Sequence, residues 1–231
     1  MGGRQVPRWE VGDVTGAVVV VDTLRAFTTA AYAFAGGAAA IYLVGGVDEA
    51  IGFAAARPGT LIVGESGGLR PEGFDVPNSP AMISRLDLEG RTLVQRTSAG
   101  TQGVIAARSA TRSWAASLVC ASATARAVER AGLGEPTYVI TGRFLEDPSH
   151  GAEDDEMTAD LIERARLGEP LRARATAEEL LASDEAARTL SHGPEHCDPL
   201  DIEFAARVDH VGFAMEVVRD AHGLRLVADR G

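Results

Sequence analysis

The chain contains no lysine: all 22 of its basic side chains are arginine, set against 33 acidic ones, for a net charge of −11. So acidic a surface repels the phosphate backbone of nucleic acids and anionic membrane headgroups, so no nucleic acid and no membrane is expected as a partner. Without lysine there is no Gly-Lys-Ser/Thr, and so no Walker A loop. Two cysteines, Cys120 and Cys197, are too few for a disulfide framework and fit a reducing compartment. No apolar run approaches the roughly 18 residues that span a bilayer. The opening MGGRQVPRWEVGD has no apolar stretch of a secretory signal, so the expected location is cytoplasmic.

What is present is a repeated rhythm. The 231 residues, 45 % of them hydrophobic, suffice for a sizeable core. Short β-rich runs alternate with helical patterns: AVVVVD (17–22), IYLV (41–44), TLIVGE (60–65), TLVQRT (92–97), ASLVCA (116–121) and TYVITG (137–142) read as strands. Helices are expected over about 25–36, from Asp48 as N-cap, near 101–110, and from Ser122 to a stop at Gly132. This pattern predicts an α/β fold, a mostly parallel sheet with helices on both faces. After about residue 150 come EDDEMTADLIERARLG and TAEELLASDEAARTL as helices, then GFAMEVVRDAHGLRLVAD as a terminal hairpin. The chain reads as a single unit over 1–231, with two soft lobes, 1–142 and 143–231, as the alternative.

Polar residues fall where strands end: Asp22, Glu65, Thr97, Ser98, Ser122, Thr141 and Gly142. In parallel sheets, ligands bind beyond the carboxyl ends of strands. Arg25, one helical turn after Asp22, suits a bidentate grip on phosphate or carboxylate, although an Asp cap with a surface arginine explains the same pair. The loop GESGGLRPEGFDVPNSP (64–80) has almost no hydrophobic period, and loops of that length are often functional. RTSAGTQG (96–103) is a Ser/Thr/Gly turn into a helix, either an anion cradle or an ordinary capped turn. The acids of GAEDDEMTAD (151–160) complement a helix dipole, or one or two of them ligate a hard cation. HGPEHC (192–197) has a metal-like spacing, but its glycine and proline break a regular helix and no second ligand cluster accompanies it.

These motifs, taken in order, resemble the 2-phosphosulfolactate phosphatase (ComB) family. VVVVDTLRAFTTAAYAFAGGA resembles its opening strand, Asp-Val-Leu-Arg-Ala-Thr and helix, and GESGGLRPEGFDVPNSP its most distinctive loop. RTSAGT, ASLVCASATA, EDDEMTADLIERARLG and DIEFAARVDHVGFAMEV follow in family order, so that the resemblance spans about residues 17–220. It implies an Mg²⁺-dependent hydrolase of a small anionic phosphate ester such as 2-phosphosulfolactate, and a homodimer. Asp22, Glu65, Asp75 and Asp154 are the implied metal ligands. Arg25, Gly73, Asn78, Ser79, Ser98, Gly100 and Thr101 would bind substrate, and Glu153 would act as general base. Asp22 as a nucleophile stays open, as does Glu146-Asp147 in place of Glu153-Asp154.

The chain departs from the family pattern at Thr23, Phe27, Ala99, Ala116 and Cys120, two of which, Ala99 and Cys120, replace amides. The alternative is therefore a non-catalytic anion-binding protein on the same fold. A haloacid dehalogenase-type phosphatase is excluded, because Leu24 stands where that class needs a second aspartate.

Overall fold

The computed structural model describes residues 2–144 and 151–231. The pair Glu146-Asp147 lies outside the described residues. Among those described, ten strands hydrogen-bond into one sheet. They are β1 (Arg4–Pro7), β2 (Ala17–Val21), β3 (Ala40–Leu43), β4 (Leu61–Gly64), β5 (Val76–Pro77), β6 (Thr92–Arg96), β7 (Arg112–Ala116), β8 (Thr137–Ile140), β9 (Ala214–Asp220) and β10 (Gly223–Asp229). The helices are α1 (Ala26–Ala35), α2 (Val47–Ala55), α3 (Pro80–Ile83), α4 (Gly100–Ala106), α5 (Ala121–Ala131), α6 (Glu153–Arg166), α7 (Ala173–Leu181), α8 (Asp184–Leu190) and α9 (Asp201–Ala205).

The sheet runs β1-β8-β2-β7-β9-β10-β3-β6-β4-β5. It consists of two parallel blocks, β1-β8-β2-β7 and β3-β6-β4-β5, joined by the terminal hairpin. The hairpin's two strands pair antiparallel with each other and with both blocks. Three antiparallel joins in succession reverse one block relative to the other. In a flat sheet their carboxyl ends would lie on opposite edges. A twist of about 20–25° per pairing, accumulated from β2 to β4, amounts to roughly 120–150° and curls those ends back toward one side.

Every residue of β2 is buried, as are most of β3, β4, β6, β7 and β8. Successive strand side chains point to opposite faces, so both faces of the parallel blocks are covered. The mixed α/β fold with a mostly parallel sheet therefore follows the valine-rich runs that the sequence displays. The hairpin strands are only half-buried, in keeping with their alternation of apolar and charged residues.

Local differences have local causes. The apolar run 116–121 is not a strand: β7 ends at Ala116, and Leu118–Cys120 form one 3₁₀ turn leading into α5. The strand is instead RSWAA, in register with AVVVV of β2. Ser122 therefore lies inside α5, and Asp209 accepts from both its N–H and its hydroxyl. The N-cap of α2 is Gly46 rather than Asp48, because the Glu49 carboxylate reaches back to the N–H groups of Gly45 and Gly46. TAEELLASDEAARTL splits into two helices at Ser183, whose hydroxyl accepts from Ala186 N and starts α8. Gly132 stops α5 with a left-handed φ of 64°.

Candidate active site

A cavity of about 280 Å³ opens where the carboxyl ends of β2, β4, β6 and β8 meet. Strand β2 delivers Asp22, Leu24 and Arg25; the loop after β4 delivers Glu65, Gly67 and Gly68, and the end of β5 delivers Asn78. Ser98 and Ala99 come from the end of β6, and Thr141 and Gly142 from the end of β8. Asp154 and Asp155 reach in from the first turn of α6, and Glu185, Arg188, Thr189 and His192 from α8 and the turn beyond it.

The turn from β2 into α1 is held by carboxylates on all sides. Asp22 Oδ1 accepts from Ala26 N at 2.8 Å, and its carboxylate also takes the N–H of Gly100. Asp155 Oδ1 accepts from Thr23 N at 2.9 Å, and Asp154 Oδ2 from Leu24 N at 3.1 Å. The other oxygen of Asp155 takes Gly142 N at 2.9 Å and the Thr141 hydroxyl at 3.2 Å. The peptide between Leu24 and Arg25 is cis. Arg25 is buried beneath the cavity, and its Nη1 donates to Asp201 at 2.8 Å and to the carbonyl of His196 at 2.9 Å.

Glu65 ties two loops together. Its carboxylate accepts from the N–H and hydroxyl of Ser98 and, at 2.7 Å, from Gly68 N. Gly68 has a φ of +82°, a conformation that residues other than glycine rarely adopt, and the His192 imidazole lies against it. Asn78 is buried in the cavity wall, and its Oδ1 has no partner among the described residues.

So many acids in one dry place repel one another. Burial, then the negative charge of Glu65, pushes Asp22 up to about 6, against the N–H groups of Ala26 and Gly100 and the charge of Arg25. Burial, with Glu185 and Asp22 adding to it, pushes Asp154 up to about 8. Asp155 is held well above the usual carboxylate range by burial and by Asp154 and Asp22. Burial, reinforced by Asp22 and Glu153 and opposed by Arg188, brings Glu185 to about 7. His192 is pushed down by burial and by the Arg25 charge.

The expected residues do not all converge. Asp22, Arg25, Glu65, Asn78, Ser98 and Asp154 line the cavity. Asp75 is exposed and spends its carboxylate on Ile62 N at 2.8 Å, and Gly73 sits at an exposed turn beside Ile51. Ser79 caps α3 and donates to Asp201 at 2.6 Å. Thr101 is buried in exchange with Thr97, and Gly100 packs against the Asp22 side chain. The turn at 98–101 is thus knit into the protein: the N–H groups of Ser98, Gly100 and Thr101 go to Glu65, Asp22 and Thr97. Glu153 is exposed at the start of α6, outside the cavity lining. Of the replaced amides, Ala99 lies in the cavity wall, whereas Cys120 is buried at the start of α5.

Glu185, Arg188 and Thr189, contributed by α8, were not anticipated, whereas His192, in the turn beyond it, was singled out only for the metal-like spacing of HGPEHC. Glu185, Arg188 and Thr189 recur at i, i+3 and i+4, a polar stripe along one face of α8, and His192 follows in the turn beyond. That spacing is the one signal that could have found them. Asp155 was hidden in the acidic run beside Asp154.

The fold and the cavity define a class, an α/β protein with buried carboxylates and an arginine gathered at the carboxyl ends of its parallel strands. The sequence profile of the family described as 2-phosphosulpholactate phosphatase matches residues 6–186. The chain belongs to that family. A Thermoplasma acidophilum protein named probable 2-phosphosulfolactate phosphatase is 31 % identical over 202 residues, covering 87 % of this chain and 85 % of the relative. A Synechococcus sp. protein of the same name is 32 % identical over 184 residues, covering 78 % and 74 %. A Bacillus subtilis protein, again so named, is 32 % identical over 139 residues, covering 60 % and 58 %. The matches to the relatives from Bacillus subtilis, Carboxydothermus hydrogenoformans and Thermus thermophilus span 58 %, 45 % and 53 % of those proteins' length.

Proposed function

We propose that this chain hydrolyses a small anionic phosphate monoester, with 2-phosphosulfolactate as the leading candidate and Mg²⁺ as cofactor. The observation that carries the reading is the meeting of Asp22, Asp154 and Glu185 with Arg25 in one cavity at the strand ends. The family supplies the substrate, since its relatives are named for it.

The donor set fits a hard cation. All the nearby acidic groups are oxygen donors, and their mutual repulsion is what a cation would relieve. Among the described residues, no three His, Cys, Asp or Glu side chains are grouped as a ready-made chelate. Mg²⁺ does not require one, because it is usually held by one or two carboxylates, with water and substrate phosphate completing its shell. Asp22 and Asp154 are the proposed ligands. Glu65 is the weaker choice, since its oxygens already accept three donors. When bound, Mg²⁺ would neutralise charge on the phosphoryl group and favour attack by water.

The chain's own residues do the rest. Arg25 grips the phosphoryl oxygens with the guanidinium edge that faces the cavity. Asn78 offers its side-chain amide to the same group. Glu185, rather than the exposed Glu153, takes the proton of the attacking water as it adds to phosphorus and the ester P–O bond breaks. A carboxyl near 7 suits that role at neutral pH. His192, over the glycine pair, is held toward its neutral form by burial and the Arg25 charge, so the proton that reaches the leaving oxygen is the one Glu185 has taken from the water. A cytoplasmic location, in keeping with the sparse cysteines, and a homodimer, which rests on the resemblance alone, complete the reading. The absent amide at Ala99 is the one feature of the cavity that favours a non-catalytic binder. Phosphate release from a panel containing 2-phosphosulfolactate, phospholactate and simple alkyl phosphates, with Mg²⁺ and with EDTA, tests the proposal. The expected result is Mg²⁺-dependent release with the sulfonated ester fastest. No release from any ester by folded protein would contradict it.

A further inference from the structure

Arg25 is unusual among the chain's arginines in being almost wholly buried, with only 3 % of its side chain exposed, and its partner Asp201 is completely buried. A buried ion pair is expensive unless each charge is also hydrogen-bonded by its surroundings. Asp201 meets that condition in full. Its Oδ2 accepts from Arg25 Nη1 at 2.8 Å and from Asp198 N at 3.1 Å. Its Oδ1 accepts from the Ser79 hydroxyl at 2.6 Å and from Ala81 N at 3.0 Å. Four donors shared between its two oxygens hold the carboxylate in one position.

The arginine is treated differently. Both of its protein bonds, to Asp201 and to the carbonyl of His196, are made by Nη1. Among the described residues, Nε and Nη2 have no hydrogen-bond partner, and the residue lines the cavity. One corner of the guanidinium is therefore anchored while the opposite edge is presented to a ligand. The anchor belongs to a segment, 196–201, beyond the span that the family profile matches. The same segment holds the 64–80 loop, since Arg70 N donates to His196 Nδ1 at 3.0 Å.

We infer that Asp201 is a positioning residue for anion binding: it fixes the Arg25 guanidinium at the floor of the cavity and couples it, through Ser79, to the loop that carries Glu65 and Asn78. This rests on the reading that Arg25 grips a phosphoryl group. The rival is that Asp201 only caps α3 and stiffens the fold. A cap would alter thermal stability and leave ligand affinity in the folded protein unchanged.

The test uses the full chain and inorganic phosphate as the probe. Phosphate affinity and kcat/KM are compared for wild type, Asp201→Asn, Arg25→Ala and the double variant. Arg85→Ala is the control, because it breaks a neighbouring ion pair, to Asp198, that faces away from the cavity. Asp201→Asn is expected to weaken phosphate binding about tenfold and to lower kcat/KM by about 10–100-fold. The double variant should be no worse than Arg25→Ala alone, and Arg85→Ala should stay within about twofold of wild type. Wild-type affinity in folded Asp201→Asn, or losses that multiply in the double variant, would overturn the inference.

A second readout needs neither turnover nor a folded Asp201 variant. In ¹⁵N-arginine-labelled wild type, the Arg25 guanidinium, assigned by its loss in Arg25→Lys, should show separate Nη signals, as restricted rotation demands. A single averaged signal would refute the anchoring. If wild type neither binds phosphate nor releases it, the functional reading fails, while this spectrum still decides whether Arg25 is held in place.

Discussion

Asn78 is the cavity residue whose removal should separate function from stability most cleanly. The residue is 4 % exposed, and among the described residues its Oδ1 has no partner. An unsatisfied buried acceptor costs about 1–3 kcal/mol, so deleting it forfeits no internal bond at that atom. Asn78→Ala is expected to keep or slightly raise Tm while KM rises about tenfold, the loss of one hydrogen bond to a charged group. A fall in Tm of many degrees with unchanged KM would make Asn78 structural instead. Asp22, Arg25, Glu65, Asn78 and Asp154 were legible in the sequence because each stands at a strand end, in the one long aperiodic loop or at a helix start. Glu185 and Arg188 were not, because a charged helical stripe reads as a solvated face until something packs against it. Asp75 and Ser79 misled for the converse reason: short polar side chains in loops often serve the backbone first, as both do here.

Elements set these positions more than single contacts do. Helix α8 carries Glu185 and Arg188 and begins at Ser183, whose hydroxyl accepts from Ala186 N at 3.1 Å. Loss of such a cap costs about 1 kcal/mol. Ser183→Ala is therefore expected to lower stability by about that amount in urea unfolding and to weaken phosphate binding, although Ser183 lies outside the cavity. An unchanged affinity would mean that α8 contributes nothing to the site. On the other wall, α4 packs so closely on β2 that a Cβ at Gly103 would lie 2.8 Å from Val20 and Thr141 side-chain atoms. Gly103→Val should destabilise by about 1–3 kcal/mol through overpacking. The strands of the parallel blocks were legible because full burial demands unbroken apolar runs. The exception, 116–121, shows the limit of that signal: an apolar run is also what a buried turn into a helix looks like.

At the scale of the molecule, the terminal hairpin joins two parallel blocks whose strand ends would otherwise point apart, and twist brings those ends together around the acids. No local pattern in the sequence encodes that arrangement, which is why the hairpin was legible and its central place was not. Gathering the acids has a consequence for pH. Asp22, Glu185 and Asp154 titrate near 6, 7 and 8 in the folded chain, against about 4 when unfolded. Between those limits the folded state binds more protons than the unfolded one, so stability must fall as pH rises. In EDTA, Tm is expected to decline from pH 6 to pH 8, and Mg²⁺ should flatten that decline by replacing the protons. A Tm that is level across this range in EDTA would show that the acids do not burden one another.

The claim at the centre is that Asp22 and its neighbours serve phosphate-ester hydrolysis. Initial rates of phosphate release from 2-phosphosulfolactate by wild type and by Asp22→Asn, each with Mg²⁺ and with EDTA, test it most directly. The account predicts release by wild type with Mg²⁺, and a loss of about 10³-fold or more both on chelation and in the variant. Equal rates in wild type and folded Asp22→Asn would contradict it.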